Sequence, residues 1–509
     1  MIILNDELMT SKILFWFGTN YTHFCLSHNL QKKTDAEMYA IVDVTEKPKP
    51  FFQNQKLVNF EKIWFFHDHI KQKNQEPDMG YLEKFEKKYK INLWKLAQNE
   101  RIFLYFKEFY HFTRDEILSI LEQECRFFEK ILEEIKPDYF FTRLPSLHHQ
   151  ELIYEMCKNT GVRVVAMNYT IIGKKCMLAQ EHQKLDHIEK LENLEHENRD
   201  FKELQDYIHS SDLLKQIDEK LVRPGNEIID KIRSAKSYLI DFDTENTNTH
   251  YTYYGRTKSK VFSYYLKDTM QTKRRKSYVD NNLKMKLERT NQFVYFPLHI
   301  EMERSLLLGA PYFINQIEVV KSVAKSLPIN WNLVVKEHPG QAMRSWRSKE
   351  EYEEIMNIPN VVLMHPSFPR EKLYEKCSLV FSIAGTAGFE AACYGKPTIT
   401  LVELNYSLLP SVQKVSDFDE LPRLIEKMSN TKVDSKHVDQ FITLLEKNVS
   451  NFDWSSFSKK LTEEFFTGSI QDTEISDEKM KNFLENNISE LDEFASDHIR
   501  KIEWFKQDN

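Results

Sequence analysis

Short apolar runs alternate with amphipathic stretches along much of this chain. Lys12 to Phe17 (KILFWF) is an apolar run ending at Gly18, followed by a polar turn and a helical-looking stretch to Asn29. Met38 to Val44 and Ile63 to Phe66 repeat the strand pattern. From Asp115 to Ile135 apolar residues recur at helical spacing, among them Ile117, Leu118, Leu121, Phe128 and Leu132, and the predicted helix runs into a strand in KPDYFFTR. HHQELIYEMCKNTG then predicts a helix closed by Gly161, and VRVVAMNY the next strand. Strand, helix, strand in this rhythm predicts a parallel sheet covered by helices.

The pattern changes between about Gln180 and Asn282, where KLDHIEKLENLEHENRDFKEL and SKVFSYYLKDTMQTKRRKSYV are long, charged and helix-favouring. A second alternation starts at Gln292: FVYFPLH, NLVVKEHP, VVLM, SLVFSIAG and TITLVEL read as strands, with helices over Gln316 to Leu327 and in REKLYEKC. The tail from Asp417 reads as helical and charged. The expected architecture is α/β, with two Rossmann-like doubly wound lobes facing a cleft. Its expected parts are a first lobe over 1–180, a charged helical linker over 181–285, a second lobe over 286–412 and C-terminal helices over 413–509.

Composition changes this picture little. A chain of 509 residues is too long for one ordinary core, which agrees with two lobes. The formal charge of -7 gives no global reason to expect nucleic acid as a partner. KRRK at 273–276 invites a nucleic-acid or anionic-lipid reading, but no wider basic field surrounds it, so a solvated helix face is the better account. The six cysteines form no CxxC pair, which argues against a zinc site or a disulfide framework and for a reducing compartment. The N-terminus lacks the basic region and cleavage site of a secretory leader, and no run approaches the roughly 20 apolar residues of a membrane span.

Candidate chemistry gathers in the second lobe. Three of the chain's 12 glycines, Gly385, Gly388 and Gly395, fall within FSIAGTAGFEAACYGKP. This reads as strand, turn and helix: Gly385 and Gly388 permit positive φ and a close approach of ligand, Thr386 is an N-cap, and Gly395 with Pro397 ends the helix. A helix N-terminus offers unpaired N–H groups to a phosphate, with Ser382 just before the turn. Glu390 in the first turn either compensates the dipole or accepts from ribose hydroxyls. LVVKEHP delivers Lys336, Glu337, His338 and Pro339 to a strand's carboxyl end, where a parallel sheet presents ligand residues, and Arg344 follows in the loop. His299, Glu301 and Glu303 follow the first strand of this lobe and either face the cleft or extend the strand into solvent.

The order FPLHIEMER, VVKEHPG, FSIAGTAGFEAACYGKP resembles the capsule polysaccharide biosynthesis proteins, relatives of Kdo transferases with the GT-B fold. The resemblance implies a glycosyltransferase of surface polysaccharide. It takes a nucleotide-sugar donor (CMP-linked if the Kdo-transferase likeness holds) and transfers sugar to a glycan or lipid-linked glycan acceptor. It implies donor-binding roles for His338, Pro339, Gly385, Thr386 and Glu390, with Lys336 and Ser382 close by. One departure is Ala384, where the family's turn often has serine, which leaves Thr386 to supply the hydroxyl. No DxD-type metal motif stands in a suitable loop, so no cofactor and a metal-independent reaction are expected. The base is expected from the first lobe, either in the cluster His67, Asp68, His69 or in His148, His149. The expected location is the cytoplasm, with peripheral contact at the inner face of the membrane as the variant that lipid-linked acceptors imply. A nucleotide-sugar 2-epimerase, a polymer glycerophosphotransferase and a non-catalytic assembly protein remain alternatives; the paired acids usual in the epimerases are missing at Phe389-Glu390-Ala391.

Overall fold

A computed structural model of the chain describes residues 11–71, 76–172, 175–188, 190–210, 245–288, 292–466 and 471–507. The first sheet holds β1 (Lys12–Phe17), β2 (Glu37–Val42), β3 (Lys62–Phe65), β4 (Tyr139–Arg143), β5 (Arg163–Tyr169) and β6 (Cys176–Ala179). The second holds β7 (Phe293–Pro297), β8 (Asn332–Lys336), β9 (Val361–Met364), β10 (Leu379–Ser382), β11 (Thr398–Thr400) and β12 (Val412–Lys414), while β13 (Val449–Ser450) returns to the first. The strand orders are β13-β6-β5-β4-β1-β2-β3 and β12-β11-β10-β7-β8-β9. All pairings in the second sheet are parallel, and in the first only β6 pairs antiparallel, with β5 and β13. Each sheet therefore winds outward in both directions from a central pair, β1/β4 and β7/β10. In a doubly wound sheet that switch point leaves a crevice beyond the strand carboxyl ends.

Side-chain alternation assigns the two faces of each sheet. In β1, Ile13, Phe15 and Phe17 enter one core, and Leu14 and Trp16 the other. The predicted amphipathic helix is present as Arg114–Ile135, closed at its start by a Thr113–Glu116 capping box, and it covers the Leu14/Trp16 face with the helix His148–Asn159. The opposite face is covered by the C-terminal helices Trp454–Phe465, Asp477–Asn486 and Ile488–Gln507, through residues such as Phe457, Phe494 and Ile502.

The segment 413–509 thus does not stand apart as a separate unit. Leu421 to Met428 pack on the second lobe, while the last three helices return to the first. The linker is also divided. Residues 185–188 and 190–200, charged enough to read as helix, are irregular apart from the short turn Leu191–Asn193. The helix Phe201–Ser210 packs on the second lobe, where Gln205 donates to the carbonyl of Cys393 and His209 meets Tyr394. Residues Asn246–Tyr253 lie back on the first lobe, where His250 bonds the carbonyl of Val44. The helix Lys258–Asn282 then spans to the second lobe, where Arg275 donates to the carbonyls of Ser345 and Trp346. The part of the linker over 211–244 lies outside the described residues. Among the described helices none is long and apolar enough to cross a membrane.

One buried cation ties the second lobe's strand ends together. Arg347, 1% exposed, donates from Nε to Glu337 at 2.8 Å and from Nη2 to the carbonyl of His299 at 2.7 Å, and it also pairs with Glu301. Glu337, 0% exposed, accepts in addition from Tyr352 at 2.9 Å and from the backbone of His338 at 2.7 Å. Breaking a buried pair from one side leaves an uncompensated charge, at a cost of about 3–5 kcal/mol. Arg347→Met is therefore expected to lower stability by about that amount, with amide exchange in β7 and β8 accelerated most. Chemical denaturation with hydrogen-exchange readout checks this, and unchanged exchange there would show that the pair fastens nothing.

Candidate functional site

The second lobe assembles its polar residues at the switch point between β7 and β10. His299 follows β7 and is 8% exposed; its Nε2 accepts from the backbone N–H of Ala384, just beyond β10, at 3.2 Å. That contact explains Gly385: a Cβ there would lie 3.0 Å from His299 Nε2. Gly388 is equally confined, since its Cβ would come within 2.7 Å of Thr398 and Tyr406. Neither glycine has a positive φ, in contrast to Gly395 at +68°. The expectation of positive φ at Gly385 and Gly388 is thus corrected. Both are small because neighbouring side chains press against the turn, and Gly395 alone of the three is needed for its backbone conformation.

Thr386 begins the helix Ala387–Cys393 but does not cap it with its side chain, because its backbone is already helical (φ -76°, ψ -13°). Its hydroxyl donates instead to Glu390 at 2.9 Å. Glu390 also accepts from Tyr374 at 3.1 Å and lies 3.3 Å from the Arg370 guanidinium. Ser382, fully buried, accepts from the N–H of Gly385 at 3.3 Å and so holds the turn.

His338 begins the turn Pro339–Arg344, and its Nδ1 accepts from Gly340 N–H at 3.0 Å. Burial, with His299, Lys336, Arg370 and Arg347 nearby, pushes its pKa down to about 3. A neutral ring whose Nδ1 is an acceptor carries its proton on Nε2, and is thus fixed as a donor from that atom. Burial and the Arg347 charge likewise lower His299 to about 4. Lys336 is 5% exposed at the end of β8. Glu301 is paired with Arg347, and burial raises its carboxyl to about 7. Arg344 pairs with Glu303 at 2.6 Å. The structure therefore brings His299, His338, Lys336, Ser382, Gly385 and, through Arg370, Glu390 to one crevice. Arg370 and Arg347 were not legible as members, because their loops carry no motif.

The first lobe has a crevice of about 330 Å³ beyond the ends of β1, β2 and β4, lined among others by Asn20, Asp43, His67, Arg143 and His149. Asp43 directly follows β2 and sits between two imidazoles, accepting from His67 Nε2 at 3.0 Å and from His149 Nε2 at 3.2 Å. Burial alone would raise the Asp43 carboxyl, but the bonds from His149 and His67 outweigh it and hold it well below the carboxylate range. With Nε2 donating to Asp43, His67 keeps Nδ1 as an acceptor, and that buried atom has no hydrogen-bond partner among the described residues.

The candidates from the sequence separate here. His149 lines the crevice, but its Nδ1 is engaged by the Tyr251 hydroxyl at 2.9 Å. His148 points away from it, donating to Glu100 at 2.9 Å and Glu124 at 3.1 Å with no exposed surface. Asp68 is half exposed, bound to Lys49 at 2.6 Å, and outside the crevice lining. Asp43 was missed because it read as part of a strand; a single acid closing an apolar strand was the signal. Among the described residues, Glu124, His148 and His149 bring potential metal-ligand atoms within 4.8 Å of one another. Tyr251 also contacts Glu124 at 3.1 Å, so these atoms are joined as a hydrogen-bond relay from Glu100 to Asp43.

Burial would lower the His148 pKa, but Glu124 and Glu100 outweigh it and raise it to about 10. A histidine raised above its unfolded value binds more protons folded than unfolded. Its contribution is thus complete below about pH 6.5 and lost as pH rises through about 10. The first lobe of the wild type is expected to lose stability between pH 6.5 and 10, and His148→Gln to lose less over the same range. Unfolding curves across that range check this, and parallel pH dependences would contradict it.

Residues 206–409 match the family model of capsule polysaccharide biosynthesis proteins. No curated protein matches the chain. Among solved structures, the Methanocaldococcus jannaschii UDP-GlcNAc 2-epimerase in complex with UDP-GlcNAc and UDP is 12% identical over 86% of this chain and 99% of that one, with a TM-score of 0.26. The UDP-GlcNAc 2-epimerase from Neisseria meningitidis is 13% identical over 86% of this chain and 98% of that one, with a TM-score of 0.23. KpsC of Thermosulfurimonas dismutans, a β-Kdo 2,7 transferase, is 15% identical over 69% of this chain and 87% of that one, with a TM-score of 0.29. It is over residues 206–409, from the linker through β11 and including every residue of the second crevice, that this chain resembles the capsule polysaccharide biosynthesis proteins.

Proposed function

We propose that the chain is a glycosyltransferase of surface-polysaccharide synthesis that takes its sugar from a nucleotide-activated donor, held by the second lobe, and transfers it to a glycan at the first. The observation that carries this reading is the charge pattern at the β7/β10 switch point. Lys336, Arg370 and Arg347 act together on His338; Arg347 is paired with Glu337 and Glu301, and Arg370 with Glu390 and Glu371. Such a crevice, in the segment matched by the family, suits the phosphate of a donor. His338 offers Nε2–H to a phosphate oxygen, and Lys336 supplies charge beside it. Glu390, held toward Arg370 and Tyr374, is placed for the ribose.

In this reaction an acceptor hydroxyl oxygen bonds to the anomeric carbon as the bond from that carbon to the phosphate oxygen breaks. The nucleotide leaves with the bonding electrons, and Lys336 and His338 stabilise the charge it gains. The hydroxyl proton passes to Nδ1 of His67, and Asp43, which fixes the tautomer, steadies the imidazolium that forms. His149 and its Tyr251 contact hold Asp43 in place. Of the two clusters from which the sequence led us to expect the base, this reading takes His67, Asp68, His69 over His148, His149, and within it His67, backed by Asp43.

A panel of CMP-, UDP- and GDP-linked sugars, with release of free nucleotide measured with and without glycan acceptor, tests the reading; no release and no thermal shift with any of them would sink it. His338→Ala is expected to weaken donor binding on the order of tenfold to a hundredfold, the worth of one hydrogen bond to a charged group, without unfolding the lobe. Titration of the productive nucleotide with folding monitored by circular dichroism checks that expectation. His67→Gln and Asp43→Asn should leave donor affinity unchanged and lower kcat by roughly 10²–10⁴. Wild-type turnover in both would move the base elsewhere.

A further inference from the structure

The first-lobe crevice carries more positive charge than a neutral sugar requires. Arg101, Arg143 and Arg256 all line it, and Asp43 is the one carboxylate among its lining residues. Asp43 is already committed to His67 and His149. Arg143 stacks on the Trp454 ring at 4.7 Å and has Tyr169 as its polar neighbour. Arg101 donates to the carbonyl of Ser146, and its buried Nε has no hydrogen-bond partner among the described residues. Neither has a carboxylate partner among the described residues, and for Arg143, whose pKa burial lowers, a guanidinium removed from water without one is costly.

Three further atoms point the same way. The indole N–H of Trp16, Nδ1 of His67 and Nε2 of His23 belong to residues no more than 7% exposed that line the crevice, and each is buried without a hydrogen-bond partner among the described residues. Buried polar groups are nearly always satisfied, so unsatisfied ones grouped around one hollow mark the place of a polar ligand. The same walls carry the aromatic rings of Trp16, Phe106 and Tyr253, which suit the apolar faces of sugar rings. The volume of about 330 Å³ falls at the lower end of small-ligand sites, about 300–1,000 Å³.

We infer that this crevice selects an acidic sugar: the acceptor presents a carboxylate to Arg101 and Arg143, with its ring against the aromatic wall and its hydroxyl toward His67. The inference rests on the glycosyl-transfer reading for the word acceptor, but not for the binding of the acid. A phosphate group has the same fork geometry for arginine, so the test separates the two sources of negative charge.

The experiment is calorimetric titration of the full chain with a glucuronate-containing tetrasaccharide, with its neutral glucose counterpart, with CMP and with inorganic phosphate. The acidic tetrasaccharide should bind on the order of tenfold tighter than the neutral one, and the preference should fall as salt rises. Arg101→Gln, at a half-exposed position, should abolish the preference with the fold intact, and Arg143→Gln should do the same if it folds. His338→Ala should weaken CMP and leave the acidic tetrasaccharide untouched. Equal affinity for the two tetrasaccharides, no binding of the acidic one, or a preference that survives Arg101→Gln would overturn the inference. So would CMP or phosphate displacing the acidic tetrasaccharide in the His338→Ala variant, because the crevice would then be a phosphate site. If the preference holds and no nucleotide-sugar is turned over, it is the glycosyl-transfer reading that fails.

Discussion

The second lobe is organised around a guanidinium that water cannot reach. Arg347 reaches the carbonyl of His299 beyond β7 and the carboxylate of Glu337 beyond β8, and so fixes the two strand ends relative to each other. His299 in turn receives the backbone of Ala384 beyond β10, and Glu337 receives the backbone of His338. Three connections from different parts of the chain, those after β7, β8 and β10, are thereby held by one charge and its partners. The low dielectric that makes this charge expensive to bury also makes its bonds stiff, and stiffness is what a preorganised phosphate site requires.

The first lobe reaches a comparable result with an anion at its centre. Asp43 is gripped by His67 and His149, and a chain of contacts through Tyr251 and Glu124 leads to the fully buried His148–Glu100 pair. Both crevices lie at switch points, because parallel strands leaving a central pair in opposite directions leave a gap that no crossover helix fills. The two crevices differ in what surrounds their central charge. Around Arg347 the partners are acids, with Lys336 and Arg370 also close to His338, whereas around Asp43 they are imidazoles, with arginines farther out along the wall. The linker residues Tyr251 and Arg256 complete the second of these arrangements, so the segment between the lobes also helps to build the first-lobe crevice.

Much of the fold was legible because apolar runs of strand length and amphipathic stretches of helix length are local signals. KILFWF, NLVVK and LVFS appear as β1, β8 and β10, and the long helix predicted after Asp115 begins one residue earlier. The misses have equally plain causes. β6, β12 and β13 are two to four residues long, too short for any period to show. Residues 185–200 have helix-favouring composition, yet Leu185, Leu191 and Leu194 lie buried in a mixed core with residues of the helix Ser435–Asn448, so packing overrode propensity. In the site, His338, Lys336 and the glycine turn were legible because they end strands. The roles within the turn were not: Thr386 looked like a cap and proved to be a partner of Glu390, and Gly385 and Gly388 looked like ligand-facing positions and proved to make room for His299 and Tyr406.

By itself, then, the chain's order of residues determined two alternating α/β units and placed a histidine, a lysine and a glycine turn at strand carboxyl ends, since periodicity and punctuation act over a few neighbours. Only the tertiary structure decided which of the four histidines expected near a first-lobe site, His67, His69, His148 and His149, keeps a nitrogen available in the crevice. It also decided that Asp43, 24 residues before His67 and 106 before His149, stands between them. The protonation and reach of a buried side chain depend on the charges packed around it, and those come from segments far apart in the chain.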